Sequence, residues 1–121
     1  MNRIGKVSGV DYMRGMVRVT YPDREGMVTD WMPTLSLTGE YRMPSIGERV
    51  MVCQLSAGGG VAMGKVWDGG SSPREGAKGL FLKELGDFPG EAYIRCEGGQ
   101  VEFHDESGTV SLSEIVGLLR G

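Results

Sequence analysis

Histidine, cysteine and long apolar runs are what this chain has least of. One histidine, His104, and two cysteines, Cys53 and Cys96, stand among 121 residues. The cysteines fall inside expected strands, without a Cys-x-x-Cys spacing and without histidines nearby. A zinc site therefore fails on ligand number and a dithiol redox site on spacing. Both cysteines read as buried free thiols, and neither metal nor cofactor is expected. No run approaches the roughly 20 apolar residues that span a bilayer. Met1-Asn2-Arg3-Ile4-Gly5 offers no apolar signal segment, so synthesis in the cytoplasm is expected.

Groups suited to catalysis are equally sparse. His104 lies within Phe103-His104-Asp105-Glu106, where the adjacent Asp105 points to the opposite strand face and does not orient the ring as a triad member would. No Ser or Cys sits in a nucleophile-elbow context, and His104 reads as a solvated strand-end residue. The carboxylates Asp105-Glu106 and Asp23 with Glu25 fall in expected turns, where they are hydrated rather than paired as a glycosidase dyad. Gly58-Gly59-Gly60 and Gly69-Gly70 are followed by no Lys-Ser or Lys-Thr and open no helix, so they are turns and not phosphate loops. No catalytic residue and no enzymatic activity is expected.

Glycine is what the chain has in excess. Its 21 glycines are more than twice the usual share, scattered without a period of three, which excludes collagen and favours many short strands. A first strand covers residues 3–10. Val17, Val19 and Tyr21 alternate with Met16, Arg18 and Thr20 in a second, a period of two that sends one set inward. Asp11-Tyr12-Met13-Arg14-Gly15 supplies the hairpin between them. A third strand runs over about Met27 to Pro33, with Pro33 at its end or at an edge because it lacks an amide donor. Residues 34–48 lack periodicity and form a long connection. Val50 to Leu55 and Val61 to Trp67 make strands four and five, joined through Gly58-Gly59-Gly60.

The stretch 69–78 carries no apolar side chain larger than Ala77, cannot bury a core and reads as a linker. Beyond it, residues 80–85, 92–97 and 100–104 are expected as short strands, with Ala92, Ile94 and Cys96 on one face and Tyr93, Arg95 and Glu97 on the other. Gly98-Gly99 makes the hairpin turn. At the end the period changes: Ser111 with Glu114 forms a capping-box pattern, and Leu112, Ile115, Val116 and Leu119 recur at helical intervals. A helix of about two turns is marginal alone, so this stripe must pack on something. It folds back on its own sheet or makes a threefold contact with symmetry mates, and the sequence leaves both open.

Three phrases carry a family resemblance: Val17-Arg18-Val19-Thr20-Tyr21-Pro22-Asp23, Thr29-Asp30-Trp31-Met32-Pro33 and Met43-Pro44-Ser45-Ile46-Gly47. With Tyr21, Pro22, Asp30, Trp31, Pro33, Pro44 and Gly47 as its marks, residues 3–68 resemble the oligomer-binding (OB) barrel that opens the central-spike, baseplate-assembly-protein-V-like family of contractile phage tails and related injection systems. Five strands with a long connection between the third and fourth agree with that architecture. The resemblance implies a homotrimer and a non-enzymatic part of a virion baseplate that centres the tube and transmits force to the target envelope. It implies as partners a tail hub or tube-initiator protein and a separate spike-tip protein. The C-terminal part departs from the family pattern. It is short, lacks a repetitive strand array, and has no His-x-His phrase for a tip metal.

The OB barrel is also a platform for single-stranded nucleic acid, so the alternative is a monomeric binding module for such a strand or for a small ligand. Charge argues against it. Residues 1–68 hold eight Lys or Arg against seven Asp or Glu, a net of +1, and residues 69–121 hold five against nine, a net of −4. Backbone-driven binding requires a concentrated basic face. The expectation is therefore an all-β protein of an OB barrel (1–68), a linker (69–78) and a small strand-rich trimerisation segment ending in a short helix (79–121), with no nucleic-acid partner.

Overall fold

The computed structural model describes residues 2–22, 25–55, 58–68 and 70–121. Asp23, from the phrase that follows the second strand, and Gly69, the first residue of the expected linker, lie outside them. The chain forms two compact units, Met1–Ser71 and Ser72–Gly121. Both are built on antiparallel sheets, and one short helix closes the second.

The first unit holds β1 (Asn2–Asp11), β2 (Met16–Tyr21), β3 (Met27–Val28), β4 (Met32–Pro33), β5 (Arg49–Gln54) and β6 (Gly60–Lys65), ordered β3-β2-β1-β5-β6 with β4 also on β2. The long β1 serves two neighbours: its first half pairs with β5 and its second half with β2, with a register break between Val7 and Gly9. Such a break bends and twists a strand. A parallel bridge joins Thr34 to Ala62, and the Leu35 N–H donates to the Ala62 carbonyl at 2.9 Å, so the chain leaving β4 runs beside β6.

The period-two reading of β2 and β5 holds. Val17, Val19 and Tyr21 and then Val50 and Val52 are buried, together with Val7, Met32 and Ala62. Burying a valine side chain contributes about 1.5–3 kcal/mol, so this set is the stabilising centre of the unit. The expected third strand is broken in two. Thr29 is the reason: its Oγ1 accepts the Val19 N–H at 3.0 Å, its own N–H donates to the Val19 carbonyl at 2.8 Å, and its hydroxyl donates to the Asp30 carbonyl at 2.8 Å. A threonine hydroxyl has replaced one rung of the ladder.

The second unit is a four-stranded sheet ordered β10-β9-β8-β7, from β7 (Phe81–Glu84), β8 (Tyr93–Glu97), β9 (Gln100–Asp105) and β10 (Gly108–Ser111), followed by α1 (Leu112–Arg120). Gly98 and Gly99, at φ 59° and 77°, make the expected two-residue turn. The strand β10 was not expected from the sequence. Residues 74 and 75, read as linker, are fastened to this unit by side-chain ion pairs described below.

Candidate functional site

The resemblance-bearing residues of the first unit do not converge on one cleft; they hold the fold. Tyr21 is buried, with the Arg3 guanidinium 4.9 Å from its ring centre. Trp31 is half-buried beside Gly9, and two cations lie over its ring, Arg18 at 4.9 Å and Arg14 at 5.9 Å. Arg14 is held by Asp11 at 2.7 Å, and the donated hydrogen bonds of the Arg14 side chain and then of its backbone N–H keep the Asp11 carboxyl below the usual range. Asp30 Oδ1 accepts the Trp31 N–H at 2.8 Å. Gly47, at φ 95°, donates its N–H to the Val7 carbonyl at 2.8 Å. Pro22, Asp30 and Pro33 are exposed, and half-buried Pro44 lines a groove with Leu35, Leu37 and Met63.

The second unit is two-faced. Opposed residues of an antiparallel pair share a face, and the register therefore sorts its side chains. On one face lie Phe81, Ile94, Cys96, Val101, Phe103 and Val110, with Lys83 as their cation. On the other lie Glu84, Tyr93, Arg95, Glu102, His104 and Thr109. The polar face is densely bonded. Arg95 donates to Glu75, twenty residues away, and to Glu97 at 2.8 Å. Arg74 pairs with Glu84 at 3.0 Å and lies 4.9 Å from the Tyr93 ring centre.

These bonds shift the partners in opposite directions. The Arg95 guanidinium holds the Glu75 carboxyl below the usual range, and Glu75 and then Glu97 raise Arg95. Glu84 likewise raises Arg74. His104 is not the solvated residue the sequence suggests. It is half-buried, stacked on Tyr93 with ring centres 4.8 Å apart and planes 13° from parallel, and its Nδ1 lies 2.7 Å from Thr109 Oγ1. Asp105 is lowered chiefly by the Ser107 hydroxyl and then the Ser107 N–H that bond it, with a smaller contribution from the charge of His104.

The apolar face is under-covered. No described residue of 72–121 is buried, and Phe81 is 57% exposed. Leu85, Ala92, Ile94, Phe103 and Val110 share with Tyr93, His104, Asp105, Ser107, Gly108 and Thr109 the lining of an open depression of about 430 Å³. The expected helical stripe divides. Ile115 and Val116 are half-buried on a helix that packs against β9 and β10, whereas Leu112 is exposed and Leu119 is 84% exposed. The cap forms as read, with Ser111 Oγ accepting the Glu114 N–H at 3.1 Å. The Ser111 hydroxyl also donates to Glu114 Oε1 at 3.1 Å, which replaces the backbone half of a capping box.

Cys53 and Cys96 lie in β5 and β8 as expected but are half-buried rather than buried. Among the described residues no three His, Cys, Asp or Glu side chains converge as metal ligands would, and no helix is long and apolar enough to cross a membrane. Sequence reasoning missed the Glu75–Arg95 and Arg74–Glu84 pairs. No local signal marks them, since each joins residues ten or more apart whose nearness exists only in the folded sheet. The chain matches no protein-family model and no curated protein.

Proposed function

We propose that this chain is a non-enzymatic structural part of a contractile tail or injection-machine baseplate, with the first unit an OB barrel and the second the place where three copies associate. The carrying observation is the contrast between the units. Among the described residues, all eight buried apolar side chains belong to the first, while the second has a sheet with one apolar face and no buried residue. A sheet whose apolar face meets water is not a stable solution, and association of copies covers that face. The barrel reading is supported by the dual pairing of β1 and by the parallel Thr34–Ala62 bridge, which brings the end of the broken third strand beside β6.

The proposed partners are a hub or tube-initiator protein and a separate tip protein, and the particle is a virion or phage-tail-like baseplate. The rival reading, a monomeric module for single-stranded nucleic acid or a small ligand, asks for an open aromatic platform. Two aromatics of the first unit are already covered by cations: Trp31 has the Arg14 and Arg18 guanidiniums over its ring, and Trp67 has Lys65 Nζ 4.8 Å from its ring centre. Sedimentation equilibrium of the full chain tests the proposal: a trimer at micromolar concentration supports it, and a folded monomer there removes it.

A further inference from the structure

Residues 72–78 read from the sequence as linker, yet two adjacent side chains clasp them to the sheet of the second unit. The Arg74 guanidinium pairs at 3.0 Å with Glu84, the last residue of β7, and lies 4.9 Å from the ring centre of Tyr93, the first residue of β8. The acceptor is itself held in place. Gly90 donates its N–H to the same Glu84 carboxylate at 3.3 Å, and a Cβ on Gly90 would stand 3.6 Å from Arg74 Cδ, so the arginine stem passes close over that glycine. Glu75 makes the second clasp. Its carboxylate accepts from two nitrogens of Arg95 in β8, Nε at 3.1 Å and Nη2, and Arg95 Nη2 also donates to Glu97 at 2.8 Å.

Both clasps are made by charge. Pro73 and Ala77, the apolar side chains of residues 72–78, are exposed, so lifting the segment away uncovers little apolar surface. The strand pairing does not depend on it either. The β7–β8 ladder runs from Phe81 opposite Cys96 to Glu84 opposite Tyr93 and uses no residue before Phe81. Nor does Arg95 become an isolated charge: it keeps Glu97, and Glu102 stands directly opposite it on β9, on the same face of the sheet.

We propose that the segment from Arg74 to Leu80 is a releasable strap, closed by the Arg74–Glu84 and Glu75–Arg95 pairs and opening while the sheet stays paired. Closed, the chain joins the unit at the C-terminal end of β7 and lies back along that strand to Phe81 at its start. Open, it joins at Phe81. The point of attachment then moves from one end of β7 to the other, and the seven residues from Arg74 to Leu80 pass into the free linker. At about 3.3–3.6 Å per residue they add up to about 25 Å of reach. The strap acts within one copy, so it does not rest on the trimer reading above.

Trypsin reads the strap directly, because it takes the arginine side chain into its own pocket and cannot cut after Arg74 while Glu84 and Tyr93 hold the guanidinium. The full chain is compared with a Glu84→Gln, Arg95→Gln double variant, which leaves the Arg74–Glu75 bond itself unaltered, with circular dichroism to show that the fold is kept. The rate of that cut follows the open population. It is expected to rise about tenfold or more in the variant, the effect of losing two partly buried pairs, and an unchanged rate overturns the clasp. A second measurement needs no variant. In the unchanged chain, with rates divided by those of unstructured peptides carrying the same bonds, cutting after Arg74 is expected to stay nearly constant up to about 2 M urea, because opening the strap exposes little surface. Cutting after Arg95, inside β8, is expected to climb. The same urea dependence for both cuts would mean that the strap opens only when the sheet does, and would overturn the proposal.

Discussion

The side chain of Val19 fills the space that a Cβ on Gly5 would occupy, and Tyr21 Cε1 lies 3.0 Å from the same point. Two buried side chains of β2 thus close over a bare backbone position on β1, which is where that strand passes from one pairing partner to the other. A methyl group there has to push core side chains from their rotamers. Gly5→Ala is expected to destabilise the first unit by about 1–3 kcal/mol, the usual cost of overpacking a core. Gly117→Ala, on a helical position with nothing near its Cβ, is expected to stabilise by up to about 1 kcal/mol. Thermal melts of the two variants should move in opposite directions.

The Glu75–Arg95 pair gives the second unit an acid limit. The folded-state pKa of Glu75 lies below its ordinary value because Arg95 donates to the carboxylate. A carboxyl lowered on folding contributes stability that is present above the unfolded pKa, about 4.3 for Glu, and lost as pH falls through the lower folded value. Amide exchange of β7 and β8 should therefore quicken as pH falls below about 4 once intrinsic rates are divided out. Glu75→Gln should be weaker at neutral pH and show a shallower acid dependence. Identical profiles for the two proteins would mean that the pair contributes nothing.

Where the sequence was legible, a repeating pattern lay behind it. Val17-Val19-Tyr21 and Val50-Val52 announce their burial by alternation, and Gly98-Gly99 announces a tight turn by needing positive φ twice. β10 escaped because four residues, Gly108 to Ser111, include one large apolar side chain, Val110, which is too little to set a period. The third strand looked continuous because the break rests on a Thr29 hydroxyl bonding across to Val19. The helix was legible in its cap and its period, but not in which side of the stripe its own sheet would cover. That choice belongs to the packing of β9 and β10, and it leaves Leu119 in water.

The helix supplies a third prediction. Ser111→Ala removes the acceptor of the Glu114 N–H and should cost about 1 kcal/mol. Ile115→Asp places a charge on the half-buried side of α1 and should cost more than the cap. Leu119→Asp, at an 84% exposed position, should leave the melting of a single chain nearly unchanged, so any loss it causes at high protein concentration reports coverage by another molecule. Melts at two concentrations separate these cases.

The last prediction concerns nucleic acid. A strand-binding protein making about 6–10 phosphate contacts loses roughly a thousandfold or more in affinity between about 50 and 200 mM salt. Here the cations nearest an aromatic platform are already engaged: Arg14 is bonded to Asp11, and both Arg14 and Arg18 lie over Trp31. The chain as a whole carries a net charge of −3, so no long-range field gathers a polyanion toward it. Fluorescence anisotropy with a labelled single-stranded oligonucleotide at physiological salt is expected to show no submicromolar binding. Trp31→Ala should cost first-unit stability, because the ring packs beside Gly9 and under two guanidiniums, without altering that null titration. Tight, steeply salt-dependent binding that Trp31→Ala abolishes would restore the first unit as a nucleic-acid platform and displace the structural reading.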